Sequence, residues 1–440
     1  MKLQINQRQV LYNRISSGVN RRIARIHRYG ETFWLSSHSL YRKLIVQNPK
    51  TPRDGVVIVY TTNPGSVGDD AMFRATVSML VGKGCTKIAM IRPSENDQFD
   101  EIDGISEVFE YPQSIRGWRR LKEQLLPYKA LGLIAADTID GVYSQSRSIQ
   151  RLRIVKFAND CGLQATCLGF SFRDDPTNDI VSMIRRMNGV TMCCRDPLSL
   201  DRFQRITGMQ GEQVADLAFL LKPKVITDHV SQLIAQLKEF RLKGFKIVAI
   251  NANAQAGPLT VGENYMELVK SFSIAISKFS DTSPDCRFLF IPHDSRGKFS
   301  DVNLATSIYD ELSDSARDKT LSIVHTRDPR EIRAICESLD FALTGRMHFG
   351  ILCLAACIPI AATSYQQKFE GLFQLLNLRM VDVGGHDAFD ADKIADALST
   401  LYSRHQSDRI RLREAIPELE KLAESQIHHL YSGNEHSTGM

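Results

Sequence analysis

Arg346 and His348 stand two apart beside Gly345, at the head of an apolar run that carries no formal charge through Tyr365. Arginine offers a planar fork of donors suited to carboxylate or phosphate, and histidine can pass a proton near neutral pH. Read as strand, glycine turn and helix start, "FALTGRMHFGILCLAAC" puts both side chains at a helix N-terminus. Free N–H groups and the positive dipole end there favour an anion. Residues two apart do not share a helix face, yet in a first turn both can splay the same way. A capping arrangement with a satisfied core histidine is the alternative; burying a guanidinium without an anionic partner is costly, which weighs against it.

Three other strand ends carry chemistry-bearing residues. In "NPGSVGDDA", Asn63, Gly65 and Gly68 suit a turn whose backbone N–H groups approach a ligand, and Asp69 falls near the cap of the next helix. The same residues also read as an ordinary turn with Asp69 or Asp70 as N-cap, and the motif is neither a Walker A loop nor a dinucleotide fingerprint. Arg195 directly follows "VTMCC". It reads equally as an anion fork or as a salt bridge to Asp196 or another nearby acid. His293, with Asp294 and Arg296 in "IPHDSRG", is a secondary binding candidate.

The elements that must hold these residues alternate regularly. Apolar β-rich runs at 56–62, 87–93, 131–137, 165–172 and 190–194, with "VFEYP" between, are separated by segments of helical period. The alternation pauses over 223–245, a linker plus helix, and restarts at 246–254, 287–294, 320–326, 341–344, 359–363 and 380–384. This predicts an α/β chain: a basic arm (1–50), a Rossmann-like lobe (51–222), the linker helix, a second such lobe (246–390) and a polar helical tail (391–440) with Asp390 as its N-cap. Ligands of such folds bind at the carboxyl ends of strands, here in a cleft between lobes.

Residues 1–50 hold ten Lys/Arg and one acid, Glu31, so the arm is about +9 and the remainder 5 − 9 = −4. That asymmetry suggests an arm with its own contact, not a nucleic-acid-binding protein. Its roughly amphipathic pattern fits either an anionic membrane surface or packing on a neighbouring subunit or lobe. Nine cysteines sit in apolar runs without zinc-ligand spacing, and read as small buried hydrophobes in a reducing compartment. With no signal core and no apolar run of membrane length, the expectation is a cytoplasmic protein, with the arm able to touch the inner face of a membrane.

Four blocks resemble the polysaccharide pyruvyl transferase family. "NPGSVGDDAMFRATVSML" is similar to its Asn-x-Gly-Asp opening, with two extra residues in the turn. "VTMCCRDPLSLDRFQRITG…VADLAFLL" is similar to its Arg-Asp-x-x-Ser…Asp-x-x-x-x-L block, and "FLFIPHD" to a strand early in its second lobe. "TGRMHFGILCLAACIPIAATSYQQKFEGLF" resembles its Gly-x-Arg-x-His…Pro…Tyr-x-x-Lys block, although here Arg346 follows Gly345 directly. Together the blocks run from Val56 to Leu378.

The resemblance implies a glycosyltransferase-B-like pair of Rossmann lobes with a deep cleft. It implies transfer of a pyruvate unit from phosphoenolpyruvate to sugar hydroxyls of a polysaccharide or its lipid-linked precursor, as a ketal, with release of phosphate. Arg195 and Arg346 correspond to clamps for the donor's phosphate and carboxylate, His348 to the proton carrier and Asp69 to an acceptor-side residue. Asn63, Gly68, His293, Tyr365 and Lys368 are expected at substrate. The family's Gly-rich turn near 131–137 is replaced by "AADTIDG", so either Asp137 or Asp140 takes over or acceptor recognition differs. No cofactor and no metal are expected, and an oligomer is compatible with the reading. Two rivals share the fold. One is a nucleotide-sugar glycosyltransferase, with Glu331 as a ribose-binding acid; the other is a non-catalytic carbohydrate-binding or scaffold protein.

Overall fold

Four consecutive β-branched residues, all fully buried, can only sit in a sheet covered on both faces; Val56–Val59 (β1) is such a run. The computed structural model describes residues 53–61, 66–93, 102–253, 265–294, 300–363, 368–377, 381–384, 387 and 389–432, with Lys368 as backbone only. Asn63, Gly65, Arg296, Tyr365 and the basic arm therefore lie outside the described residues.

The first sheet contains β1, β2 (Ile88–Arg92), β3 (Glu107–Glu110), β4 (Ala130–Ile134), β5 (Gln164–Phe170), β6 (Val190–Cys194) and β7 (Glu212–Gln213). Its order is β3-β2-β1-β4-β5-β6-β7, every pairing parallel. Helices α1 (Val67–Gly82), α2 (Ile115–Leu125), α3 (Gln145–Asp160), α4 (Asn178–Ile184) and α5 (Pro197–Thr207) connect the strands. A 3-10 turn, Leu217–Leu220, then leads to α6 (Asp228–Leu242) within the expected linker.

The second sheet is built from β8 (Lys246–Asn251), β9 (Cys286–Phe290), β10 (Thr320–Ile323), β11 (Phe341–Thr344), β12 (Ile360–Ala362) and β13 (Val381–Asp382). Its order, β10-β9-β8-β11-β12-β13, is again all parallel. Between its strands run α7 (Tyr265–Thr282), α8 (Asp301–Asp310), α9 (Asp314–Asp318), α10 (Pro329–Cys336), α11 (Met347–Ala355) and α12 (Lys368–Leu376). Each sheet thus repeats the strand order third, second, first, fourth, fifth, sixth, and the first adds a short edge strand. In this arrangement the chain reverses direction between first and fourth strands, opening a crevice at their carboxyl ends. Those ends are the loops after β1 and β4 and after β8 and β11. Of the residues singled out in the sequence, Gly68 and Asp69 follow β1, Asp137 follows β4, and Arg346 and His348 follow β11, whereas Arg195 follows β6 and His293 follows β9.

The C-terminal tail is one helix, α13 (Ala391–His428). Asp390 caps it by accepting the N–H groups of Asp392 and Lys393 at 2.9 and 3.3 Å. It is less of a free polar tail than its composition suggests. Ile394, Leu398 and Leu401 enter the second lobe's core, while Leu412, Leu419, Ala423 and Ile427 enter an apolar cluster shared with Ala71, Leu217 and Phe349. At about 1.5 Å per residue the helix is long enough to serve both cores and ties the two sheets together.

Candidate active site

The turn that carries Arg346 is braced from the neighbouring strand. Asn251, at the end of β8, accepts the Thr344 hydroxyl at 2.9 Å and the Arg346 N–H at 3.2 Å, and donates to the Ile291 carbonyl at 2.7 Å. Asn253 donates to the Gly345 carbonyl at 3.0 Å. The backbone at the second lobe's switch point is therefore fixed before α11 begins.

Arg346 does not stand open. Its Nε and Nη2 make a bidentate pair with Asp301 at 2.9 and 2.7 Å, and Asp294 lies 3.9 Å away. Asp301, the first residue of α8, is buried and also accepts the N–H groups of His293 and Asp294 at 3.3 and 3.1 Å. The anionic partner demanded by a buried guanidinium is thus present within its own lobe, 45 residues upstream. Arg346 is thus balanced by one carboxylate before any ligand arrives.

Arg195 follows the same logic. Its Nη1 lies 2.8 Å from Asp216 Oδ2 and its Nε donates to the Ser171 hydroxyl at 2.8 Å. The alternative partner, Asp196, instead caps α5, accepting the Ser199 N–H at 2.8 Å and hydroxyl at 2.7 Å. Arg195 Nη2 has no hydrogen-bond partner among the described residues. One donor group of the fork therefore remains available.

The two lobes meet at His348. Its Nε2 lies 3.6 Å from Asp216 Oδ2 and 3.5 Å from Arg195 Nη1. Burial alone would raise the Asp216 carboxyl, but the His348 imidazole and then the Arg195 guanidinium outweigh that and bring it down to about 2. Asp216 is therefore a fixed negative charge behind the imidazole at neutral pH. The opposite ring edge faces α1. A methyl group on Gly68 would stand 2.2 Å from His348 Nδ1, so only glycine lets the start of α1 close on the ring. A second close approach joins the same lobes at Gly371 in α12, where a Cβ would meet Asp196 Oδ1 at 2.3 Å.

The start of α1 corrects a detail of the sequence reading. Ser66 occupies the cap position, not Asp69 or Asp70, and it bridges to Asp294 of the second lobe. Asp69 accepts the Ser66 hydroxyl at 3.0 Å, and Asp70 pairs with Arg74 at 2.7 Å. Asp69 stays half-buried in the first helical turn, one residue from Gly68.

His293 is buried, and neither ring nitrogen has a hydrogen-bond partner among the described residues. Burial, then the charges of His348 and Arg346, hold its pKa well below the ordinary range, with Asp294 opposing. It is a neutral imidazole tilted against Phe349, ring centroids 6.3 Å apart. Leaving a buried polar group unpaired costs about 1–3 kcal/mol, so a substrate group that pairs with it recovers that cost. In the first lobe, Asp137 lies half-buried in the turn after β4. Neighbouring Asp140 is committed to Arg173 at 3.2 Å and to the Val142 N–H at 3.1 Å. Lys368 begins α12.

Asp216, Asp301, Asn251 and Asn253 were not assigned roles from sequence. Asp216 stood inside the quoted "VADLAFLL", and Asp301 follows Ser300 in a helix-capping pattern. Two asparagines at the end of a buried strand, "VAINAN", were a further available signal. Glu331, named for a ribose, is buried and accepts the N–H groups of Ile226 and Thr227 at 3.0 and 2.7 Å and the Thr227 and Thr326 hydroxyls. Its carboxylate fastens the linker.

A family model described as polysaccharide pyruvyl transferase matches residues 67–367. A search of curated proteins gives no match. Among solved structures, the S. aureus MnaA–UDP complex superposes with a TM-score of 0.58 at 12% identity, covering 88% of this chain and 100% of that one. The UDP-GlcNAc 2-epimerase from Neisseria meningitidis bound to UDP-GlcNAc gives 0.52 at 10%, covering 86% and 100%. An alpha,alpha-trehalose-phosphate synthase (UDP-forming) from Burkholderia xenovorans gives 0.52 at 12%, covering 86% and 99%. Likeness at such identities is of fold, and that fold is the two-lobed glycosyltransferase-B-like one. The family match is of another kind, because it runs unbroken from α1 in the first lobe to the loop before α12 in the second; on it, the chain belongs to the polysaccharide pyruvyl transferase family.

Proposed function

We propose that this transferase moves a pyruvate unit from phosphoenolpyruvate to two hydroxyls of a glycan acceptor, free or lipid-linked, forming a cyclic ketal and releasing phosphate. The observation that carries the reading is the convergence of Gly68, Arg195, Asp216 and His348 where the two lobes meet. A proton carrier backed by a fixed carboxylate and flanked by a guanidinium suits a reaction that adds a proton to carbon and expels phosphate.

His348 delivers its proton to the donor's methylene carbon, which becomes the methyl group, and positive charge develops at the neighbouring carbon. Asp216, ionised beside the ring, stabilises the protonated imidazole before transfer. One acceptor hydroxyl adds to the cationic carbon as Asp69 takes its proton; a second hydroxyl then displaces phosphate, which leaves carrying that hydroxyl's proton, and closes the ketal. Arg195 and Arg346 hold the phosphate and carboxylate, with the start of α11 adding its dipole. His293, neutral and without a hydrogen-bond partner among the described residues, offers the donor a hydrogen bond without adding charge. Neither a metal nor a cofactor has a step in this scheme.

A nucleotide-sugar reading has less support, since Glu331 is spent on the linker. The test is purified protein with phosphoenolpyruvate and a panel of galactose-, mannose- and N-acetylhexosamine-containing acceptors, scored for phosphate release. Acceptor-dependent release is expected. Silence with every acceptor, together with turnover of a sugar nucleotide, overturns the proposal.

A further inference from the structure

The sequence offers no metal-ligand spacing, yet the fold brings Cys193, Glu212 and His429 together. Cys193 in β6 and Glu212 in β7 are direct partners across the parallel ladder, so their side chains leave the same face of the sheet. His429 caps the C-terminus of α13 and sets its Nε2 2.7 Å from Glu212 Oε2. One sulfur, one carboxylate oxygen and one imidazole nitrogen lie within 4.8 Å of one another. No part of the pyruvyl-transfer reading uses these residues.

We infer that Cys193, Glu212 and His429 form a structural zinc site that staples the end of α13 to the edge of the first sheet. Thiolate, imidazole and carboxylate together suit zinc better than calcium or magnesium, which favour oxygen alone. Bonds of about 2.0–2.3 Å to one tetrahedral ion place its ligand atoms about 3.3–3.7 Å apart, within a small adjustment of the present spacing. The ion's two charges are matched by a thiolate and a carboxylate. Cys193 is buried, whereas the Glu212 and His429 side chains are 54% and 27% exposed, which leaves water able to complete the coordination.

The surroundings are already built. Gln426 donates to the Ala215 carbonyl at 2.8 Å and the Tyr431 hydroxyl to the Gly84 carbonyl at 3.3 Å, so the helix end is docked without the ion. The two-residue strand β7 is the weak partner, held on one side only. Zinc would fix it, and with it the segment that carries Asp216 three residues beyond Gln213.

The test is zinc titration of chelator-treated full-length protein by calorimetry, paired with thermal unfolding. One equivalent of Zn²⁺ is expected to bind and to raise Tm. Cys193→Ser, Glu212→Gln and His429→Ala should each weaken binding by more than about tenfold, a loss that outer-shell partners of a metal alone can cause. Glu212 and His429 are partly exposed, so their variants remain informative if Cys193→Ser fails to fold. Absence of binding to the wild type, or binding indifferent to Glu212→Gln and His429→Ala, overturns the site.

Discussion

His348 works in a space set by a neighbour with no side chain. A Gly68→Ala change puts a methyl group 2.2 Å from Nδ1 and must turn the ring away from Asp216 or part the lobes. We expect kcat for phosphate release to fall about 100-fold, as misplacement by roughly an ångström does elsewhere, with helix content by circular dichroism unchanged. Wild-type turnover would show that the ring's position does not matter. His348→Ala should lower kcat by about 10²–10⁴ while donor KM and Tm change little, because the ring is lost as an acid and not as a core group. Near-normal turnover would end its role as acid. The sequence made His348 and Arg195 legible, since both follow strands. It could not show that one carboxylate, Asp216, sits under both.

At the scale of elements, the switch-point turn and α8 act as a unit. Arg346→Ala removes the proposed donor contact, but it also strands the buried Asp301 carboxylate. Breaking one half of a buried pair costs about 3–5 kcal/mol, so this variant should show both a raised donor KM and a lowered Tm. The double variant Arg346→Ala/Asp301→Asn should recover most of the Tm and none of the KM. If KM recovered along with Tm, Arg346 would be a structural residue and not a clamp. The strands around this unit were readable because a buried parallel strand must be a short apolar run. Edge strand β7 was not, since two polar residues carry no periodicity.

For the whole molecule, His293 links stability to pH. Its pKa is depressed in the folded chain, while unfolded it titrates at its ordinary 6.5. Below that pH the unfolded state binds more protons, so stability falls as pH falls. We expect the wild-type Tm to drop between about pH 7 and pH 5.5, and His293→Leu to flatten that slope; identical slopes would show that the imidazole is not held neutral. The basic arm belongs to this scale too. Among the described residues no helix is long and apolar enough to cross a membrane. The expected contact with an anionic bilayer is assigned to the arm by its charge of about +9. Deleting residues 1–50 should abolish co-sedimentation with anionic liposomes and spare neutral ones; undiminished binding removes the membrane role.

Composition and periodicity by themselves determined two parallel α/β lobes, the C-terminal helix with its Asp390 cap, and the strand ends where the candidate residues collect. Such features are local, because burial of both sheet faces and capping of a helix are written within a few residues. Tertiary structure alone decided how the charges pair. Arg195 is 21 residues from Asp216, Arg346 is 45 from Asp301, and His348 meets Gly68 across the lobes. A buried charge must find its counter-charge wherever the fold brings one within a few ångströms, and spacing along the chain does not encode that distance.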